Sequence, residues 1–219
     1  MPELVTIPVS FLEVTIDYEK ADIRLLADRA HVVQGIFEAL LPWNAKIDDI
    51  EVLNSGKNSE QGVMFRVPQK RVAFFVGASL CRFSRDDVAW HLADETVTIF
   101  EAAVNPLTKL GGVVLGMKKT AVGLHLQPRA IPFMELLRPF VPTQLATLES
   151  DTIQSAATVV KWANRRVTID GSASVANAIF IKLEREFAGD IPFGAIADQL
   201  SKDEQELLEI IGVKEKDVS

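Results

Sequence analysis

The sequence predicts an α+β fold made of two similar halves, each ordered β-α-β-β-β-α, with mainly antiparallel sheets and helices packed on one face. Three observations point there. Apolar residues recur with a period of two in some segments and of three to four in others, which separates strands from helices. The order strand, helix, three strands, helix fills residues 1–110 and begins again in residues 117–219, with no residue-level identity between the two. Apolar residues make up 48% of the chain and charged residues 24%, a composition that supports a folded core. At 219 residues the halves stand either as two small domains or as one fused domain.

Residues 4–18 read as extended. Val5, Ile7, Val9 and Phe11 alternate with polar or small residues, and then Leu12, Val14, Ile16 and Tyr18 take over the phase. A period of two changes phase only through an extra residue or a change of covered face, so a bulge or break is expected near Phe11-Leu12. Residues 20–41 read as a helix with the stripe Ile23, Leu26, Ala27, Ala30, Val33, Phe37, Leu40 and Leu41, stopped by Pro42. Three strands follow at 47–53, 63–67 and 71–83. A polar turn at 54–59 separates the first two, and Pro68-Gln69-Lys70 turns the chain before the third. Ser84 then caps a helix over 86–104, ended or kinked at Asn105-Pro106.

A glycine-rich connector at 111–116 joins the halves. Residues 120–127 are a strand with Val122, Leu124 and Leu126 on one face. Residues 133–148 are helical in two short pieces, because Pro139 and Pro142 each remove a backbone donor. Strands at 153–162 and 166–169 follow. Asp170-Gly171 is a hairpin turn signal, and 175–187 is the longest strand. Two helical pieces come last, the first carrying Ile196 and Leu200 and the second Leu207, Leu208 and Ile211. A capping box, Ser201 to Glu204, restarts the second piece and Gly212 ends it. Residues 214–219 are expected to fray.

Charge and cysteine content narrow the function classes. The net charge of -7 favours solubility and disfavours attraction to phosphate backbones, so a nucleic-acid partner is not expected. Cys81 is alone, which excludes an internal disulfide and suits a reducing compartment. The longest apolar runs fall short of the roughly 18 to 20 residues of a membrane helix. Met1-Pro2-Glu3 has no basic region leading into an apolar run. The expectation is a cytoplasmic protein with no membrane partner.

No chemical motif is complete. Gly111 and Gly116 have P-loop spacing, but Met117 stands where the lysine belongs, and the run joins a helix to a strand instead of the reverse. His91 and Glu95 are four apart on a helix, which supplies two ligands and no more, so no metal is expected. Cys81 lies near Arg82 and Arg85, whose charge favours a thiolate, yet no base can be placed beside it. The adjacent acids Asp86-Asp87 and Asp203-Glu204 sit at helix starts, where the helix dipole explains them. No catalytic residue and no cofactor is assigned.

Basic pairs at Lys70-Arg71, Lys118-Lys119 and Arg165-Arg166 all precede or open strands and could gather on one rim. In topology alone, the doubled order resembles the TATA-box-binding saddle. That family uses a basic concave sheet with wedge phenylalanines, and an acidic chain departs from it. Fold resemblance is not function.

Two function classes remain. The first is a non-enzymatic binding or assembly protein, taking a peptide, a protein or a second copy on a sheet edge or in an apolar groove. The alternative is a small-ligand-binding protein or enzyme with a cleft between the halves. His125, Arg129, Lys118 and Asp170 are its candidate ligand-binding residues. His125 alternates with Leu124 and Leu126 and so points away from them, which by default leaves it exposed or in a cleft.

Overall fold

The computed structural model describes residues 3–22, 24–27, 29–54, 61–87, 93–142 and 158–215. β1 (Glu3–Tyr18) leads to α1 (Arg24–Ala27) and α2 (Ala30–Leu40). β2 (Ile50–Leu53), β3 (Gly62–Val67), β4 (Val72–Gly77) and β5 (Leu80–Asp86) follow, then α3 (Ala93–Lys109) and β6 (Leu115–Pro128). α4 (Phe133–Leu137) precedes β7 (Thr158–Lys161), β8 (Arg165–Gly171) and β9 (Ile179–Phe187). α5 (Phe193–Ile211) and β10 (Val213–Glu215) come last. The fold is α+β. Ten strands form a mostly antiparallel sheet in the order β2-β3-β4-β5-β1-β6-β9-β8-β7, with β10 parallel to β1. Among the described residues, no helix is long and apolar enough to cross a membrane.

The chain forms two compact units. One contains Met1–Phe11, Ala121–Arg185 and Leu200–Ser219; the other contains Leu12–Thr120 and Glu186–Gln199. Each draws on both ends of the sequence.

In the unit that begins at Leu12, β3, β4 and β5 pair antiparallel in a two-turn meander. Val63, Phe65 and Val67 of β3 face the core with Val72, Phe74 and Val76 of β4 and with Cys81 and Phe83 of β5. The expected single strand at 71–83 is in fact a hairpin bent at Ala78-Ser79. Its turn residues are small but carry no strong turn signal, so the apolar alternation ran straight through them. The expected helix start at Ser84 is also corrected. Ser84 and Arg85 pair with Ala73 and Val72 in β5, and the described helix begins at Ala93. The expected residues 88–92 lie outside the described residues.

α2 buries Val32, Ile36 and Leu40; Leu40 belongs to the expected stripe, whereas Val32 and Ile36 stand one position before its Val33 and Phe37. The cause is visible in the chain. Val32-Val33, Ile36-Phe37 and Leu40-Leu41 are adjacent apolar pairs, so two neighbouring stripes compete and packing selects one. The helix is also interrupted at Arg29, giving α1 and α2. α3 continues through Pro106 to Lys109. A proline in a helix interior costs about 3 kcal/mol. Burial of Phe100, Ala103, Val104 and Leu107 offsets it. The Leu110 amide still donates to the Pro106 carbonyl at 2.9 Å.

In the other unit, β7, β8 and β9 pair antiparallel, with Val167, Ile169, Ile179, Ile181 and Leu183 buried on one face. The Asp170-Gly171 turn signal is overridden. Both residues remain paired, to Phe180 and Ile179, and the chain turns later, over 172–178. Ser172 Oγ accepts the Val175 amide at 2.8 Å, and Asn177 takes the left-handed conformation at φ 55°. α5 is one helix through Ser201, so the expected restart there is corrected, and Asp203 within it is fully buried against Arg185. Gly212 (φ 75°) ends α5 as expected. The expected fraying at 214 is corrected, since Lys214 and Glu215 pair with Leu4 and Val5 in β10.

β1 is continuous, so no break occurs at Phe11-Leu12. Its burial changes phase earlier, between Val5 and Ser10, where Ile7 and Val9 are half-buried. Residues 143–157, including the second helical piece expected there, lie outside the described residues.

Candidate functional site

Of the four sequence-nominated residues, His125, Arg129 and Asp170 belong to one unit and Lys118 to the other. Lys118 and His125 stand an odd number of positions apart on β6, so the pleat directs them to opposite faces of the strand. Arg129 lies just past β6 and is exposed. Its amide donates to Glu3 Oε1 at 3.2 Å. Asp170 lies on β8 opposite Phe180, and its Oδ1 accepts the Gly171 amide at 2.6 Å.

His125 is buried at 7% exposure, which corrects the expectation of an exposed ring. Its imidazole packs against Phe180 with centroids 5.0 Å apart, and Phe180 in turn stacks with Phe11 at 6.2 Å. Phe11 lies over Gly123, and no β-carbon fits there. His125 Nδ1 is 2.7 Å from Ser172 Oγ. Burial lowers the histidine pKa, because the charged ring loses solvation. Of the nominated residues, His125 and Asp170 share this side of the sheet, since Asp170 is opposite Phe180 in register. Ser172 has both lone pairs committed to the Ser174 and Val175 amides, so it presents no free pair for nucleophilic attack. Phe11, Phe180 and Ser172 escaped sequence reasoning. Only the pairing of Gly123 with an aromatic neighbour could have flagged the first.

Lys118 is 3% exposed in the unit that begins at Leu12. Its ammonium donates to the Gly189 carbonyl and lies 5.3 Å from the Phe193 ring. Desolvation lowers its pKa, and Asp190 opposes part of that shift. Close by, an open recess of about 420 Å³ is walled by Glu19, Met117, Glu186 and Phe187 over the Gly116 and Gly189 backbone. Its only side-chain polar groups are two carboxylates, fewer than a specific small-ligand site needs.

The remaining basic candidates are matched within their own units. Lys70 pairs with Glu95, Arg71 with Asp87, Lys119 with Asp17, Arg165 with Glu206 and Arg166 with Glu184. His91 lies outside the described residues, so its pairing with Glu95 does too. Among the described residues, no three His, Cys, Asp or Glu side chains are grouped to hold a metal ion. Cys81 is fully buried, and burial pushes its thiol up to about 12, away from thiolate chemistry.

β7 is an edge strand with exposed apolar side chains. It ends the strand order with β8 on one side and no described strand on the other. Val159 and Val160 are 49% and 43% exposed. Trp162, just beyond the strand, is 44% exposed and stacks on the Arg165 guanidinium at 4.4 Å. At the opposite end of the order, β2 is dressed with a Glu51–Arg66 ion pair at 2.6 Å. Charge of that kind discourages edge pairing. No family model matches this chain, and no curated protein sequence matches it.

Proposed function

We propose that this protein is a non-enzymatic binding or assembly module that receives an extended segment of a protein partner along the edge of β7 that no described strand covers. The observation that carries this reading is the run Val159-Val160, exposed on both faces of a strand with one described neighbour. An unpaired edge offers backbone donors and acceptors to an added strand. Valine at successive positions adds apolar contact on either side of it, and Trp162 supplies a large rigid surface at one end. Lys161 is the one charged residue of the strand, and Val159 and Val160 are the apolar contacts offered to a partner.

The scaffold is read as a duplication of a β-α-β-β-β-α plan. Its support is the strand order. β3-β4-β5-β1 in the first half and β7-β8-β9-β6 in the second follow one sequence, with the opening strand of each half beside its closing strand, while β2 is a fourth strand of the first half without a described counterpart in the second.

The test is binding to immobilised ten-residue peptides of alternating apolar and polar residues, with wild type compared against Val160→Lys. Val160 is half outside the protein, so the variant should fold normally. The expected result is at least tenfold weaker binding by the variant. Equal binding by the two proteins, or no binding by either, contradicts the proposal.

A further inference from the structure

We infer that His125 and Ser172 form a proton-sensitive latch on the β8–β9 loop. The loop, residues 172–178, is closed by the Ser172 amide donating to the Ala178 carbonyl at 2.9 Å. The Ser172 hydroxyl organises its interior. Oγ accepts the Ser174 amide at 3.3 Å and the Val175 amide at 2.8 Å. A hydroxyl oxygen has two lone pairs, and both are then used. Its own hydrogen is left to donate, and the acceptor 2.7 Å away is His125 Nδ1. Hydrogen-bond counting therefore assigns the neutral ring with its proton on Nε2. From β6, Gln127 Nε2 also donates to the Ala176 carbonyl at 3.2 Å, so the same strand holds the loop at two points.

Adding a proton to His125 reverses one bond. Nδ1 becomes a donor and faces an oxygen whose lone pairs are full, while the Ser172 hydrogen loses its acceptor. One amide must be released. The longer bond, from Ser174, is the one expected to yield first. The surroundings do little to favour the charged ring. On β9 it meets the Phe180 ring, and the next charge on that face, Lys182, is held by Glu184 at 3.0 Å. On β8 the nearest charge is Asp170, whose Oδ1 already accepts the Gly171 amide. On β1 the ring of Phe11 covers Gly123, and Glu3 accepts the Arg129 and Ala130 amides. Along β6, its own strand, Gly123 and Gln127 are uncharged. Burial accordingly pushes His125 below the usual histidine range. The latch is closed at neutral pH and opens as the solution is acidified.

The experiment is NMR on the whole protein, following the His125 ring protons and the exchange protection of the Ser174 and Val175 amides from pH 7.5 downward. Protection factors corrected for intrinsic exchange should fall about fivefold, the loss of one ordinary hydrogen bond. They should do so with the midpoint of the His125 titration. His125→Asn keeps an acceptor and cannot titrate there, so its loop protection should stay flat. Protection that is constant while the wild-type ring titrates overturns the latch, as does a step that persists in His125→Asn. The wild-type comparison decides alone if the variant does not fold.

Discussion

Arg185 of β9 and Asp203 of α5 are joined at two points, Nη2 to Oδ1 at 2.5 Å and Nε to Oδ2 at 3.1 Å, with the carboxylate fully buried. Glu206 adds a third contact at 3.6 Å. The paired carboxylate also raises the arginine pKa, so the charge on Arg185 is secure. This pair ties the helix to the strand. Removing one member strands a buried charge. Asp203→Ala is predicted to cost about 3 to 5 kcal/mol, measured by urea denaturation. A loss below about 1 kcal/mol would show that the pair is not isolated from water.

Gly123 and Phe11 make a second, steric pair. A methyl group on Gly123 would enter the Phe11 ring. Gly123→Ala should destabilise by about 1 to 3 kcal/mol. The same change in a Phe11→Ala background should cost much less, because the obstruction is gone. A double-mutant cycle reads the coupling directly. Additive losses would refute the contact.

Lys118 gives a pH signature. Its folded-state pKa lies below the usual value of about 10.5, because burial favours the neutral amine. Between the two values the unfolded chain holds more protons than the folded one, so stability rises with pH across that window. Lys118→Met should flatten the slope in denaturation curves taken from pH 7 to 10.5. An unchanged slope in the variant would assign the effect to another group.

Cys81 should behave as a packed side chain. It is fully buried and its thiol is pushed up to about 12. A thiol reagent at pH 8 should leave the native protein unlabelled and modify it stoichiometrically in denaturant. Fast native labelling would contradict the burial.

Much of the strand content was legible from alternation alone. Val63, Phe65 and Val67 lie on the buried face they imply, as do Val122, Leu124 and Leu126. What was not legible depended on partners distant in sequence. Ala78-Ser79 turns without a signal because β4 and β5 pair on either side of it. Asp170-Gly171 carries a signal and does not turn, because Ser172 organises the bend later. Pro106 stays helical because burial outweighs the proline cost. The candidate residues show the same limit. The parity that separates Lys118 from His125 can be read along one strand, but the Ser172 partner 47 positions away cannot. The edge at β7 was expected only in general terms. Which strand stands last is set by pairing order, and no local pattern encodes it.

The most direct test of the binding-edge account is amide hydrogen exchange along β7 with and without a saturating apolar strand peptide. The account predicts added protection confined to residues 158–162, with β2 amides unchanged. Protection appearing at β2 or elsewhere, with β7 unaltered, would contradict it.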